Sequence, residues 1–213
     1  IMMPGMDGIE LLQKLKTNRN TSHIPVVLLT AKTTIESKLE GLAYGADDYI
    51  TKPFSVLYFQ ARISNLIQQR RLLNEIITSR MNVGTGTMNF NPEPFVFTSH
   101  DEEFMKKVLH VIEENMENYD FVVDDIAKEA GMSRSVFFKK IKSLTGMAPV
   151  EFIREMKMKR AAQILISGQY MVKEVSYMVG ISDTKYFAKC FRTRFGMTPM
   201  EYKNQNSANS KNH

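Results

Sequence analysis

The sequence has few of the residues on which disulfide cross-linking, metal binding and catalysis depend. Its 213 residues include one cysteine, Cys190, which excludes an internal disulfide and is typical of a reducing cytoplasm; we interpret it as a buried apolar residue. The four histidines show no metal-ligand spacing, and no His/Ser/Asp constellation or glycine-rich phosphate loop supports an enzyme. No apolar run reaches the ~18–20 residues that a membrane span needs, so no membrane partner is expected.

Positive charge is concentrated in the C-terminal part of the chain. The formal net charge is +3 for residues 1–80, −6 for residues 81–120 and +8 for residues 121–213. The last block holds 16 Lys and Arg against 8 Asp and Glu. Such a surface can meet a polyanion, although a solvated basic surface is the plain alternative.

The same C-terminal part contains an internal repeat. The upstream positions of the two copies are offset by 49 residues and the downstream positions by 50, so one extra residue lies in the second turn or helix start. The paired positions are Ile126 and Val175, Gly131 and Gly180, Phe137 and Phe187, Ile141 and Phe191, Gly146 and Gly196, and Pro149 and Pro199.

The second copy has the pattern of two short helices joined by a tight turn. Gly180 permits the turn, and Ser182 is positioned to cap the helix that follows. Phenylalanines at every fourth position, Phe187, Phe191 and Phe195, predict a buried face. Residues 198–201 form a capping box that starts another helix, with proline at its first position. Two such helix-turn-helix units, joined by a helix over residues 149–166, therefore predict an all-α domain.

The segment from about residue 121 to 203 resembles the AraC/XylS family of transcription factors. The resemblance rests on the pattern Gly180-x-x-Asp183-x-x-Tyr186-Phe187-x-x-x-Phe191-Arg192-x-x-x-Gly196-x-Thr198-Pro199. It implies that the second helix of each unit reads DNA. The base-reading positions would be Arg134, Ser135, Phe138 and Lys139 in the first copy and Thr184, Lys185, Ala188 and Lys189 in the second. The expected phosphate contacts are Lys142, Arg192 and Arg194, and Phe138 is expected to point outward because Phe137 and Ile141 mark the buried face.

Residues 1–80 have a different periodicity. Short apolar runs predict strands at residues 25–30 and 48–51, the first of them buried on both faces. Helices are predicted for residues 7–16, 34–44 and 55–79. Alternation of strands and helices predicts a parallel α/β sheet.

This half resembles the later part of a response-regulator receiver domain. The matches are IMMPGMDG at residues 1–8, VVLLTA at residues 26–31 and GADDYITKPF at residues 45–54. The resemblance implies that Thr30 and Lys52 sense a phosphoryl group, that Tyr49 is an aromatic switch, and that the Lys52–Pro53 peptide is cis. It also implies that the main-chain carbonyl of Met2 is one ligand of a Mg²⁺ ion.

The resemblance places the phosphate-accepting aspartate immediately before Ile1. The acidic pair and the first three strands of the usual five are also absent from this sequence, so we expect a remnant of a flavodoxin-like receiver that belongs to a longer protein. No cofactor is expected in this chain, and Mg²⁺ is expected only in the complete receiver.

The predicted organisation is a receiver part at residues 1–80, a linker at 81–98, a DNA-binding domain at 99–204 and a disordered tail at 205–213. The long helix of the first part has a heptad-like seam, interrupted by an arginine; its members are Phe59, Ile63, Leu66, Arg70, Leu73 and Ile77. The seam either packs on the sheet or extends into a dimerising coiled coil. A capping box at residues 99–102 starts a helix that buries Phe104, Val108 and Ile112.

Two classes of function compete. The first is a cytoplasmic, sequence-specific transcription regulator that binds double-stranded DNA and is the output of a two-component phosphorelay. Its expected partners are a second copy of the chain, an upstream histidine kinase in the same or a separate chain, and RNA polymerase. The second is a non-transcriptional helical interaction or architectural module. Within the first class, the receiver either pairs two DNA-binding domains or masks the recognition helices until it is phosphorylated.

Overall fold

The computed structural model describes residues 6–31, 34–80, 82–83, 88–89 and 99–209, without the side chains of residues 73, 76–80, 82–83, 88–89, 99–100 and 207–209. The chain divides into two compact units. The first comprises residues 1–78, 92–104 and 139–146, and the second comprises residues 79–91, 105–138 and 147–213.

The elements of the N-terminal part alternate as predicted. They are α1 (Gly8–Thr17), β1 (Val27–Thr30), α2 (Ile35–Ala43), β2 (Asp48–Thr51) and α3 (Val56–Arg80). Strands β1 and β2 are parallel, with Val27 opposite Asp48 and Thr30 opposite Thr51. Asp7 starts α1 by accepting hydrogen bonds from the backbone N–H groups of Ile9 and Glu10, which would otherwise be unsatisfied.

The two faces of this sheet are covered to different degrees. On one face, Leu28 packs with Leu12 and Ala46, and the Tyr49 ring lies against the same cluster. The prediction that β1 is buried on both faces is wrong, because Leu29 is 38% exposed. Its neighbour across the ladder, Ile50, is buried. Within the described residues the sheet has only these two strands, so the apolar run in β1 is incompletely covered.

The partly buried stripe of α3 is the predicted seam. Phe59, Ile63 and Leu66 are half-buried, whereas the side chains of Leu73 and Ile77 lie outside the described residues. Arg70, which interrupts the seam, donates to the carbonyl oxygen of His23 at 2.6 Å and lies 3.6 Å from Asp47. These polar contacts explain how an arginine is accommodated among apolar residues; whether the seam dimerises stays a prediction.

A buried lysine in the first unit is bonded to several polar groups. Lys140 is fully buried, and its ammonium lies 2.8 Å from the Asp101 carboxylate and donates to the Ser22 hydroxyl at 3.1 Å. Ser22 in turn donates to Asp101 at 2.8 Å. A buried cation requires such a partner, because an unpaired charge away from water is costly.

The remaining helices are α4 (Ser99–Glu114), α5 (Val123–Glu129), α6 (Arg134–Thr145), α7 (Pro149–Ile166), α8 (Val172–Met178), α9 (Thr184–Phe195) and α10 (Pro199–Asn209). As predicted, Phe104, Val108 and Ile112 are buried on α4. In the second unit α7 contacts α8, α9 and α10 and is its central helix.

The predicted linker contains a short ladder, and the predicted tail needs correction. Residues 82–83 (β3) and 88–89 (β4) of the predicted linker form a short antiparallel ladder; the rest of the linker lies outside the described residues. The tail predicted to be disordered from residue 205 is helical through Asn209. The capping box at its start explains this, since Thr198 N–H donates to Glu201 at 2.7 Å and Glu201 N–H donates to the Thr198 hydroxyl at 3.3 Å.

Candidate nucleic-acid interface

The first predicted recognition helix, α6, exposes the side chains that were expected to face outward. Phe137 and Ile141 are buried. Phe138 is 42% exposed, so this aromatic residue is not part of the core. The other exposed members of the predicted set are Arg134, Ser135, Lys139 and Lys142. Their exposure permits contact with a ligand; the base-reading role itself stays a prediction.

The second predicted recognition helix, α9, has the same division. Phe187 and Phe191 are buried, and the Phe195 ring lies 4.6 Å from the Phe191 ring. Lys185, Lys189 and Arg192 are exposed, whereas Thr184 and Ala188 are half-buried. Cys190, expected to be buried, is half-buried and carries a free thiol. Two helices related by the repeat therefore present cationic side chains outward from apolar cores.

The cap of α9 differs from the prediction. Asp183, and not Ser182, accepts hydrogen bonds from the backbone N–H groups of Lys185 and Tyr186 at 2.8 and 3.1 Å. The helix starts at residue 184, four residues after Gly180, whereas α6 starts at residue 134, three residues after Gly131. The extra residue of the second copy therefore lies in its turn.

Arg194 has a partner that the sequence did not reveal. Its Nε atom lies 2.8 and 2.7 Å from the two carboxylate oxygens of Glu155, which is buried on α7. Its guanidinium also lies over the Phe195 ring, 5.1 Å from the centroid. Arg194 thus joins α9 to α7, and this contact competes with its predicted role at a DNA phosphate. Arg192 makes no ion pair with the described residues and is the better candidate for that role.

Two lysines of α7, Lys157 and Lys159, have largely buried side chains. Lys157 is buried and donates to the carbonyl oxygen of Gly180 at 3.2 Å, and burial lowers its pKa. Lys159 lies 3.9 Å from Glu155, and burial lowers its pKa as well, although Glu155 opposes this. Both lysines therefore make their polar contacts inside the second unit.

Three receiver residues singled out by the sequence lie at or next to the ends of the two strands. Thr30 is buried at the end of β1, and its carbonyl oxygen accepts from the backbone N–H of Lys52 at 2.7 Å. The Lys52 side chain is exposed, and the Lys52–Pro53 peptide is cis, which confirms that prediction. Tyr49 is half-buried beside Gly41. Their phosphate-sensing roles remain predictions.

An ion pair that the sequence reasoning missed holds α3 against the sheet. Arg62 donates through two nitrogens to both carboxylate oxygens of Asp48, at 2.8 and 2.6 Å. Burial raises the pKa of Asp48, but the hydrogen bonds from Arg62 and from the Tyr49 backbone outweigh it and hold this pKa below its usual value. The signal available in sequence was only the adjacent acidic pair at residues 47–48.

The described residues do not by themselves form a Mg²⁺ site. Across residues 6–31, 34–80 and 99–209 no cluster of three or more His, Cys, Asp or Glu side chains could hold a metal ion. Met2, whose carbonyl was the predicted ligand, lies outside the described residues. Nor is any helix in the described part of the chain long and apolar enough to cross a membrane.

Comparison with known proteins assigns both halves. Residues 1–64 match the response regulator receiver domain family, and residues 126–205 match a helix-turn-helix domain family. The chain is 41% identical over 207 residues to a protein named histidine kinase P4 from Formosa agariphila, covering 97% of this chain and 15% of that protein. It is 47% identical over 68 residues to the phosphate regulon transcriptional regulatory protein PhoB of Pseudomonas aeruginosa, covering 32% and 30%. A DNA-binding transcriptional dual regulator from Escherichia coli K-12 is a structural neighbour, with 28% identity, a TM-score of 0.46, and coverage of 49% of this chain and 93% of that one.

The chain joins part of a response-regulator receiver domain to a helix-turn-helix domain. Together the two domain families support a DNA-binding response-regulator output. The matches do not favour the alternative of a helical interaction module. The chain spans 15% and 30% of the two relatives' lengths.

Proposed function

We propose that the protein is a sequence-specific transcription regulator that reads DNA with two recognition helices, α6 and α9. The observation that carries the proposal is the repeated exposure of Lys139 and Lys189, which are 50 residues apart and lie at equivalent positions of the two copies. Each lies on the face opposite a fully buried phenylalanine, Phe137 or Phe187. A lysine at such a position can donate to guanine in the major groove.

Binding by both α6 and α9 would give bipartite recognition, in which each helix reads its own half of the site. The exposed faces differ between the copies, since Phe138 presents an aromatic ring where Ala188 presents a methyl group. Either group can contact a thymine methyl, but the two shapes suit different base steps. Lys142 and Arg192 would fix the register on the backbone through phosphates.

The receiver part would make this binding respond to phosphorylation in a longer protein that supplies the acceptor aspartate and the Mg²⁺ ion. A histidine kinase is the proposed upstream partner, because a relative covering 97% of this chain bears that name. A second copy and RNA polymerase are the further proposed partners, and the cytoplasm is the proposed location. Pairing of two DNA-binding domains and masking of the recognition helices both remain open as mechanisms.

The proposal is tested by measuring DNA binding of the whole chain to a selected site and to random duplex across a salt series. Lys139→Ala and Lys189→Ala should each cost roughly 1–3 kcal/mol on the selected site and relax selectivity at their own half of it. Lys173→Ala is the matched control, because Lys173 is an exposed lysine on α8, outside both recognition helices. Binding that shows no preference for any site, or that changes equally in all three variants, would contradict the proposal.

A further inference from the structure

One stretch of α7 is exposed although the helix is otherwise the interior element of the second unit. Of residues 150–158, only Val150, Glu151 and Arg154 are exposed. The Glu151 carboxylate is occupied at the start of the helix, where it accepts from the backbone N–H of Ala148 at 3.0 Å. Arg154 is therefore the charged side chain that this stretch of α7 presents outward.

Arg154 shares grooves with residues of both predicted recognition helices. It lines a groove of about 470 Å³ together with Arg134 of α6 and Tyr186 of α9. It also lines a second groove, of about 580 Å³, together with Tyr186 and Lys189 of α9. One predicted base-reading residue from each copy thus shares a groove with Arg154, and Tyr186, which is 49% exposed, borders both grooves.

Three other cations of these grooves are already paired within the protein, whereas Lys189 belongs to the predicted base-reading set. Arg134 lies 3.0 Å from Asp124, Lys157 donates to Gly180, and Arg194 is bonded to Glu155. Arg154 makes no hydrogen bond or ion pair with any residue in the described part of the chain. Its guanidinium is thus available to a ligand from outside, and its planar fork of donors matches a phosphate.

We propose that Arg154, together with Tyr186, which lines the same two grooves, binds a backbone phosphate of the DNA segment that passes between the two recognition helices. The inference rests on the proposed function and adds a contact outside either recognition helix's predicted set. Because a backbone phosphate is present at every step of every sequence, this contact strengthens binding and fixes register without selecting bases.

The salt dependence of DNA binding tests this contact. For the whole chain, Arg154→Gln should lower affinity by about the same factor on the selected site and on random duplex. It should also reduce the slope of log affinity against log salt by about 0.9, the value for one phosphate on B-DNA. The matched control is Arg160→Gln on the same helix, because Arg160 lines a groove whose walls carry Glu113, Glu114 and Glu117, where no phosphate is expected. That control should leave the slope unchanged.

A chemical change in the DNA gives the second arm. A neutral methylphosphonate at the phosphate midway between the two half-sites should weaken binding of the unchanged protein and have little further effect on Arg154→Gln. An unchanged slope for Arg154→Gln, equal slopes for Arg154→Gln and Arg160→Gln, or independent effects of the arginine and the methylphosphonate would overturn the inference. If the unchanged protein prefers no site, the proposed function itself fails. Failure of the inference about Arg154 alone would leave the site preference of the unchanged protein intact.

Discussion

Replacing Gly180 by alanine tests how the second helix-turn-helix is fixed, and the internal repeat supplies its own control. Gly180 and Gly131 occupy equivalent turns and have nearly the same backbone angle, with φ of 62° and 67°. An alanine at either position pays about 1–2 kcal/mol for the left-handed conformation. About 0.4–1 kcal/mol of this cost is offset in the free energy of unfolding, because alanine has less conformational freedom than glycine in the unfolded chain.

The surroundings of the two glycines differ sharply. A Cβ at Gly131 would meet nothing within 4 Å. A Cβ at Gly180 would lie 2.6 Å from the carbonyl oxygen of Met116, 3.0 Å from that of Asn118 and 2.8 Å from the Lys157 Nζ atom. Because two of these atoms belong to the backbone, the loop after α4 must shift. The buried Lys157 ammonium would also lose its bond to Gly180, and an unsatisfied buried donor costs about 1–3 kcal/mol.

We therefore expect Gly180→Ala to destabilise the protein by roughly 2–4 kcal/mol and Gly131→Ala by about 1 kcal/mol. Urea unfolding followed by circular dichroism at 222 nm would measure the difference, since the helices after residue 99 supply most of the signal. Similar shifts in the unfolding midpoint for the two variants would refute the reasoning, because they would show that backbone conformation alone sets the cost.

Two further predictions concern ionisable groups. Arg194→Ala should destabilise the fold by about 1–3 kcal/mol, because it leaves the buried Glu155 carboxylate with only the more distant Lys159. Arg192→Ala, the control, should leave the unfolding midpoint nearly unchanged but lower the salt slope of DNA binding. The opposite pair of outcomes would contradict the structural role of Arg194. Burial, reinforced by Lys140, lowers the pKa of His23 from 6.5 to about 4, with Asp101 opposing. The unfolded chain then binds more protons than the folded chain between these two values, so stability present above pH 6.5 should be lost as the pH falls towards 4. Urea midpoints between pH 7 and 5 should fall less steeply for His23→Gln; equal slopes would show that His23 does not titrate in this way.

The periodicity of apolar residues predicted correctly those elements whose ends are marked by a neighbouring proline. Helix α7 spans the predicted residues 149–166 because Pro149 starts it and apolar residues cover most of its circumference. Strand β2 likewise occupies the predicted residues, ending directly before Lys52-Pro53. The cap of α9 was misplaced by one residue, since Ser182 and Asp183 are both good caps and only the longer turn decides between them.

Contacts between distant residues could not be predicted in this way. Glu155 and Arg194 are 39 residues apart, and Ser22 and Lys140 are 118 apart. A lysine in a helical segment indicates a solvated face as readily as a buried ion pair, because sequence pattern records polarity and not the position of a partner. Lys140 and Lys157 were therefore not recognised as buried, although each is central to the packing around it.

A difference between the two copies of the repeat predicts that α6 and α9 are not interchangeable. Position 140 in the first copy corresponds to position 190 in the second, and the two residues have different roles. Lys140 is fully buried on its Asp101 partner in the first unit, whereas Cys190 is half-buried in the groove that Lys189 and Arg154 also line. A buried phenylalanine, Phe137 or Phe187, anchors each helix in the same way. Helix α6 is additionally fixed by the buried ion pair that Lys140 forms with Asp101. Because α9 lacks that ion pair at the equivalent position, we expect α9 to depend more on its contacts with α7, above all on the pair formed by Arg194 and Glu155.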